Sequence, residues 1–284
     1  MVSIDIFICN KREDLRIGLS KGIMKFKKIA ALLGAFTIVS SLFIAGCGNT
    51  NSSQKVWRVG TDATYAPFGF KDKDSGKLAG FDIDIINTIA QEEGIEADVQ
   101  NLNFDALLPA LQSNTIDIAI SDMTISEERA KSVDFSKPYY IAGNGLVVNA
   151  DNTNINSFKD LEGKRIGVSI GSTGAEIASK IPNADVRQFN LIVDAFLELQ
   201  NRGVDVVIND TPVNEYYVNG KGKGIAKVTG EDYDAAPLGI AVKKGNTELL
   251  NKVNDGLAKI KANGKYAEIY KKWFGKEPPT EDLK

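Results

Sequence analysis

Downstream of residue 55 the sequence alternates short apolar runs with longer amphipathic ones, and few folds accept that order. Val56-Trp-Arg-Val-Gly60 alternates in polarity as a half-buried strand does. Thr61-Asp-Ala-Thr-Tyr-Ala-Pro-Phe68 reads as a loop, and Asp74-Ser-Gly76 as a hairpin turn. Gly80-Phe-Asp-Ile-Asp84 then enters a stripe of Ile85, Ile86, Ile89 and Ala90 at helical spacing, which stops near Gly94. Residues 97–101 read as a strand, 104–111 as a helix and 116–120 as a buried strand. Ser126 is a candidate N-cap, with Glu127 and Glu128 in the first turn of a charged helical segment. Residues 139–143 break the rhythm, and 145–148 read as an extended connection. A second series follows: a strand over 164–170, a helix over 175–180, a helix around 196–200 and a buried strand over 204–208. A strand over 238–242 and helices over 249–260 and 266–274 close the chain. Strands alternating with helices predict an α/β fold, with mainly parallel sheets covered by helices on both faces. Two such series predict two units. The second is inserted into the first, because the last elements do not extend it.

Composition removes several chemistries. Histidine is absent, and the two cysteines, Cys9 and Cys47, both precede the body. That excludes a Ser-His-Asp triad, a Cys-His pair, a His-ligated zinc site and any disulfide beyond residue 47. From Cys47 onward, 27 Lys/Arg stand against 34 Asp/Glu, a net −7 that argues against nucleic acid as a partner. Lys271-Lys-Trp-Phe-Gly-Lys276 mixes basic and aromatic residues, which is the pattern of a terminal helix with a solvated face and packed rings.

The N-terminal segment has the form of an export address. A basic run, Lys25-Phe-Lys-Lys28, precedes residues 29–45, which are apolar or small. Ile44-Ala-Gly-Cys47 resembles a bacterial lipoprotein signal, in which the cysteine is lipidated and becomes the mature N-terminus. The tail after it, residues 48–54, is small and polar like a tether. The expected division is a signal over 1–46 starting at Met24, a lipidated Cys47 with tether over 47–54, one lobe from 55–140 plus 239–284, and a second lobe over 141–238. An uncleaved anchor helix is the competing reading of the first segment.

In open α/β sheets ligands bind beyond the carboxyl ends of strands. The residues there form an informative set: Asp62 with Tyr65 just after, Phe104, then Ser121, Asp122, Thr124 and Arg129, and in the second unit Ser172, Thr173, Asn209 and Asp210. This set suits an α-amino acid. A guanidinium at Arg129 with the Thr124 hydroxyl can grip a carboxylate, and Asp210 can take an α-ammonium, each a charge-assisted contact. Tyr65 and Phe104 can clamp a carbon chain or a cationic head. Asp62 is left for the ligand side chain, and Ser172 and Thr173 can donate from the opposite lobe. Other readings stand beside these: Asp62 as a turn cap, Tyr65 and Phe104 as core, Asp210 before Thr-Pro as a turn residue, and Arg129 as a solvated helix residue. The Gly171-Ser-Thr-Gly174 loop lacks the spacing of a dinucleotide fingerprint, and no cofactor is expected.

Several stretches together resemble the polar amino acid-binding proteins of ABC importers, solute-binding protein family 3, and within it the glutamine-binding branch. They are Gly60-Thr-Asp-Ala-Thr-Tyr-Ala-Pro-Phe68, Gly80-Phe-Asp-Ile-Asp84, Asn103-Phe-Asp-Ala-Leu-Leu-Pro-Ala-Leu111, Met123-Thr-Ile-Ser-Glu-Glu-Arg129, Val133-Asp-Phe-Ser136, Asp160-Leu-Glu-Gly163, Arg187-Gln-Phe189, Asn209-Asp-Thr-Pro212 and Glu268-Ile-Tyr-Lys-Lys-Trp-Phe-Gly275. The resemblance implies a periplasmic-binding-protein type II fold, two lobes joined by a two-strand hinge near 139–143 and 235–239. It implies a monomeric, non-catalytic receptor that closes on one amino acid and delivers it to a membrane permease. It places Arg129 and Thr124 on the carboxylate, Asp210 on the ammonium, and Asp62, Tyr65 and Phe104 around the side chain. It also implies an exported protein, anchored by lipid at Cys47 to the outer face of the cytoplasmic membrane or facing the periplasm. The chain departs from the glutamine-binding pattern at three positions, with Ser169 for Lys, Asn209 for His and Asp122 for Gly. All three make the site more negative, which adds arginine, lysine and ornithine to glutamine as expected ligands. The alternative from another class is an exported lyase resembling the cyclohexadienyl dehydratases, with Asp122 as its acid or base.

Overall fold

The computed structural model describes residues 55–280; the expected signal, lipidation site and tether lie outside them. The first lobe begins with β1 (Val56–Thr61), the short strands β2 (Thr64–Tyr65), β3 (Gly69–Lys71) and β4 (Leu78–Ala79), and helix α1 (Phe81–Glu92). It continues with β5 (Glu96–Asn101), α2 (Phe104–Gln112), β6 (Ile118–Ala119), α3 (Glu127–Ala130) and β7 (Val133–Phe135). The chain leaves through β8 (Tyr140–Asn149). The second lobe holds β9 (Arg165–Ser169), α4 (Thr173–Ala178), β10 (Asp185–Phe189), α5 (Ile192–Gln200), β11 (Val206–Asp210) and α6 (Thr211–Asn219). The chain returns through β12 (Ala226–Leu238) and finishes on the first lobe with β13 (Ala241–Lys243), α7 (Thr247–Ala262) and α8 (Lys265–Phe274).

Each lobe is built on one five-stranded sheet, in the orders β5-β1-β6-β13-β7 and β10-β9-β11-β8-β12. Three strands of each are parallel, β5, β1 and β6 in the first and β10, β9 and β11 in the second. β13 and β8 each run against their sheet, while β7 and β12 run with the parallel strands, so the strand directions are mainly parallel, as expected, with one reversed strand in each sheet. The cause is topological: β8 and β12 carry the chain out and back, and β13 re-enters the first sheet beside β6. The two crossing strands pair side by side at Tyr140 with Leu238, Ile141 with Pro237 and Ala142 with Ala236. They form the two-strand connection between lobes. Tyr140–Asn149 is therefore one continuous strand rather than a break and a connection.

The core explains why α1 forms where it does. Phe81, Ile85, Ile86 and Ile89 are fully buried, and each is worth about 1.5–3 kcal/mol of transfer free energy. Phe81 packs edge-on to Phe68, Tyr140 and Tyr270, which ties the first hairpin, the crossing strand and the last helix together. Gly80 is required at this junction: its φ is 140°, and a Cβ there would lie 2.0 Å from the Phe68 carbonyl oxygen. Among the described residues no helix is long and apolar enough to cross a membrane.

Candidate functional site

The carboxyl ends of β1, β6, β9 and β11 face one cleft between the lobes. Arg129 reaches it from the one-turn helix α3, where the Ser126 hydroxyl accepts the Arg129 backbone N–H at 3.3 Å, as expected of the N-cap. The helix ends at Ala130, so the charged segment is one turn long. Buried to 6% exposure, the guanidinium donates to the Thr124 carbonyl oxygen at 2.9 Å and, across the cleft, to the Gly171 carbonyl oxygen at 3.0 Å. It lies 5.3 Å from the centre of the Phe104 ring, a cation–π contact. Burial lowers its pKa, opposed by the charges of Glu176 and Asp210.

Asp210 stands opposite, at the end of β11 and the start of α6. Tyr65 Oη donates to its Oδ2 at 2.6 Å and is in hydrogen-bond contact with the Asn209 side-chain amide. Burial pushes the Asp210 carboxyl up to about 6, against the pull of the Tyr65 hydrogen bond and the Arg129 charge. Thr173 and Ser172 line the same space from the second lobe. Thr173 exchanges hydrogen bonds with Asn144, and the Ser172 hydroxyl caps α4 by accepting the Ala175 N–H at 3.1 Å. Ser169 lines the cleft beside them.

Asp122 faces the cleft too, at φ 50° in the left-handed region that favours glycine and tolerates aspartate. It is 3% exposed, and neither carboxylate oxygen has a hydrogen-bond partner. Burial, then the charges of Asp210 and Asp82, pushes its carboxyl well above the usual range.

The structure thus gathers Tyr65, Phe104, Asp122, Thr124, Arg129, Ser172, Thr173 and Asp210 around one space. Three other predicted residues stand behind it. Asp62 Oδ1 accepts the Thr64 N–H at 2.9 Å and the Thr64 hydroxyl at 2.7 Å, the turn-cap alternative. Ser121 Oγ accepts the Asp62 N–H at 2.9 Å, and Asn209 supports Tyr65.

Asp82 escaped the sequence reading. Fully buried in the first turn of α1, its carboxylate accepts the Asp122 N–H at 2.8 Å and the Tyr139 hydroxyl at 2.9 Å. Burial raises it to about 7. A signal was available: Asp82 falls three, four and seven residues before Ile85, Ile86 and Ile89, so an acid occupies the apolar stripe of the helix.

Residues 57–276 match the family described as bacterial extracellular solute-binding proteins, family 3. The chain is 37% identical over 255 residues to the ABC transporter arginine-binding protein 1 of Escherichia coli, covering 88% of this chain and 99% of that one. It superimposes on an ancestral arginine-binding protein bound to arginine with a TM-score of 0.76 at 45% identity, covering 78% of this chain and 99% of that one. An ancestral amino acid-binding protein, a precursor of cyclohexadienyl dehydratase, aligns with a TM-score of 0.72 at 41% identity, covering 77% and 95%.

Proposed function

The chain belongs to the bacterial extracellular solute-binding proteins of family 3, and on that premise we propose that it captures one polar or basic amino acid between its lobes and delivers it to an ABC permease. The observation that carries this reading is the opposition of Arg129 on one lobe and Asp210 on the other across a buried cleft walled by Tyr65 and Phe104. Arg129 and Thr124 take the α-carboxylate, and Asp210 takes the α-ammonium. The free space left in the cleft is about 10 Å³, room for about one water. An amino acid therefore enters only when the lobes part, which breaks the cross-cleft contacts Tyr65–Asp210 and Arg129–Gly171. The crossing strands β8 and β12 are the natural hinge for that motion. The ligand's own charges then replace these contacts, so binding favours the closed form that a permease would read.

The candidate ligands are glutamine, arginine, lysine and ornithine. The E. coli relative's name and the arginine-bound ancestral structure favour the basic ones. Export and anchoring complete the proposal, with a signal over 1–46, lipid on Cys47, a tether to 54, and lobe boundaries at 141 and 238. Replacing Cys47 by Ser should release the exported protein from the membrane fraction; unchanged fractionation would remove the anchor from the proposal.

The test of binding is a thermal-shift panel of amino acids on protein refolded to strip carried-over ligand. Ligand at a hundred times its dissociation constant adds about 2.7 kcal/mol, a shift of several degrees. No shift with any amino acid would defeat the proposal. A second reading, a lyase resembling cyclohexadienyl dehydratase, draws on the buried acid Asp122 and on the precursor structure. Recovery of bound ligand chemically unchanged after long incubation would exclude it.

A further inference from the structure

Among the charges that face the cleft, Asp122 has no assigned task. Arg129 and Asp210 answer the two ends common to every amino acid. The acid expected to meet the side chain, Asp62, has its Oδ1 engaged by its own turn through Thr64 and is not among the residues that line the cleft. Asp122 does reach it, 3% exposed, with both carboxylate oxygens buried and without a hydrogen-bond partner. Its place is held from behind, where Asp82 accepts its backbone N–H at 2.8 Å. A carboxylate fixed by its backbone, aimed into a ligand cleft and left without a donor is a receptor for a donor that arrives with the ligand.

We propose that Asp122 is the specificity-determining residue of this cleft, receiving the ammonium or guanidinium at the end of a basic amino acid's side chain. The inference rests on the amino acid-binding reading above and narrows it. Charge balance supports it. Arg129 is one positive group facing two negative ones, Asp122 and Asp210. A zwitterion with a neutral side chain adds no net charge, so one of the two carboxyls must stay protonated or stand as a buried charge without a partner. A basic amino acid neutralises all three.

A proton linkage follows. The groups that face Asp122 are Asp82 from α1, Tyr139 ahead of β8, Tyr65 from β2, Asp210 from β11 and Arg129 from α3. Of these only Arg129 favours the ionised form, and burial with the two neighbouring acids outweighs it. The cleft without ligand holds a proton on this group of acids, and a cationic side chain displaces it. Binding of a basic amino acid should release protons, and its affinity should rise as pH rises.

The experiment is isothermal titration of the refolded full chain with L-arginine, L-lysine, L-ornithine and L-glutamine, in two buffers of different ionisation enthalpy. The variants are Asp122→Asn, isosteric and tolerant of positive φ, and Asp122→Gly, which suits φ 50° without strain, so one of them folds even if the other does not. The expected result is a wild type that prefers basic ligands and releases protons on binding them. Both variants should lose about 100-fold for the basic ligands, and with it the preference for them over glutamine. Variants that keep the preference for basic ligands, or a wild type that prefers glutamine, would overturn the role of Asp122 and leave amino acid binding intact. A wild type that binds none of the four would overturn both.

Discussion

The hydroxyl of Tyr65, on the first lobe, donates to Asp210 Oδ2, on the second, at 2.6 Å. The same hydroxyl also meets Asn209 Oδ1, so one side chain joins the lobes at the centre of the cleft. A hydrogen bond to a charged acceptor is worth about 1.5–3 kcal/mol. Tyr65→Phe keeps the ring and removes that bond. Without ligand the variant should populate open arrangements about tenfold more, seen as a larger radius of gyration in small-angle scattering, and saturating ligand should restore the compact form. An unchanged radius would show that the bond does not hold the lobes.

Stability without ligand should depend on pH through the buried acids. Asp82 moves from 3.8 to about 7 and Asp210 from 3.8 to about 6, both by burial. A carboxyl whose folded value is raised binds its proton more tightly in the native state. Between about pH 4 and 7 the native chain therefore holds protons that the unfolded chain has lost, and stability falls as pH rises. Above about pH 7 the full cost is present, on the order of a few kcal/mol for Asp82. Asp82→Asn should remove the share of this slope that Asp82 contributes and so flatten the curve. Denaturant melts of the two proteins from pH 4 to 8 test it, and parallel curves would refute it.

Gly174 lets α4 lie against β11. A Cβ there would fall 2.7 Å from the Ile208 carbonyl oxygen, so Gly174→Ala forces the helix away from the strand. Thr173 rides on that helix and Asp210 on that strand. We expect a loss of stability of about 1–3 kcal/mol and a roughly tenfold weaker affinity for every amino acid, with no change in their order. Titration of the ligand panel separates this uniform loss from the selective loss expected at Asp122.

Arg129→Lys keeps the charge and loses the fork. A lysine cannot bond the Thr124 and Gly171 carbonyl oxygens and still present two parallel donors to a carboxylate. Affinity for all amino acids should fall by at least about 100-fold, measured by equilibrium dialysis. Retention of wild-type affinity would remove Arg129 from the carboxylate site.

Elements with strong local patterns were legible in the sequence. The apolar stripes of α1, α2, α7 and α8 announce them, because a helix that buries one face writes its period into the chain. Ser126 was legible as an N-cap for the same local reason. The misses share a different character. β10 is an edge strand whose residues are half-buried or exposed, and β12 is exposed along most of its length, so neither shows an apolar alternation. β12 exists because β8 offers it a hydrogen-bonding edge, with register shifts at Tyr233 that absorb its irregular sequence. The expected strand over 116–120 shrinks to Ile118–Ala119, because β13 pairs with β6 only there.

The sequence by itself determined the class of fold, the excluded chemistries and the residue types at the strand ends, since these depend on composition and on local period. Only the tertiary structure decided what each polar side chain faces. Asp62, Asp82 and Asp122 are the same residue type, yet Asp62 closes its own turn, Asp82 anchors a backbone N–H from within the core, and Asp122 is left pointing into the cleft. Hydrogen-bond partners drawn from 40 residues away, as for Asp82 and Asp122, leave no trace in local pattern. Packing brings those partners together and sets the burial that assigns each carboxylate its charge.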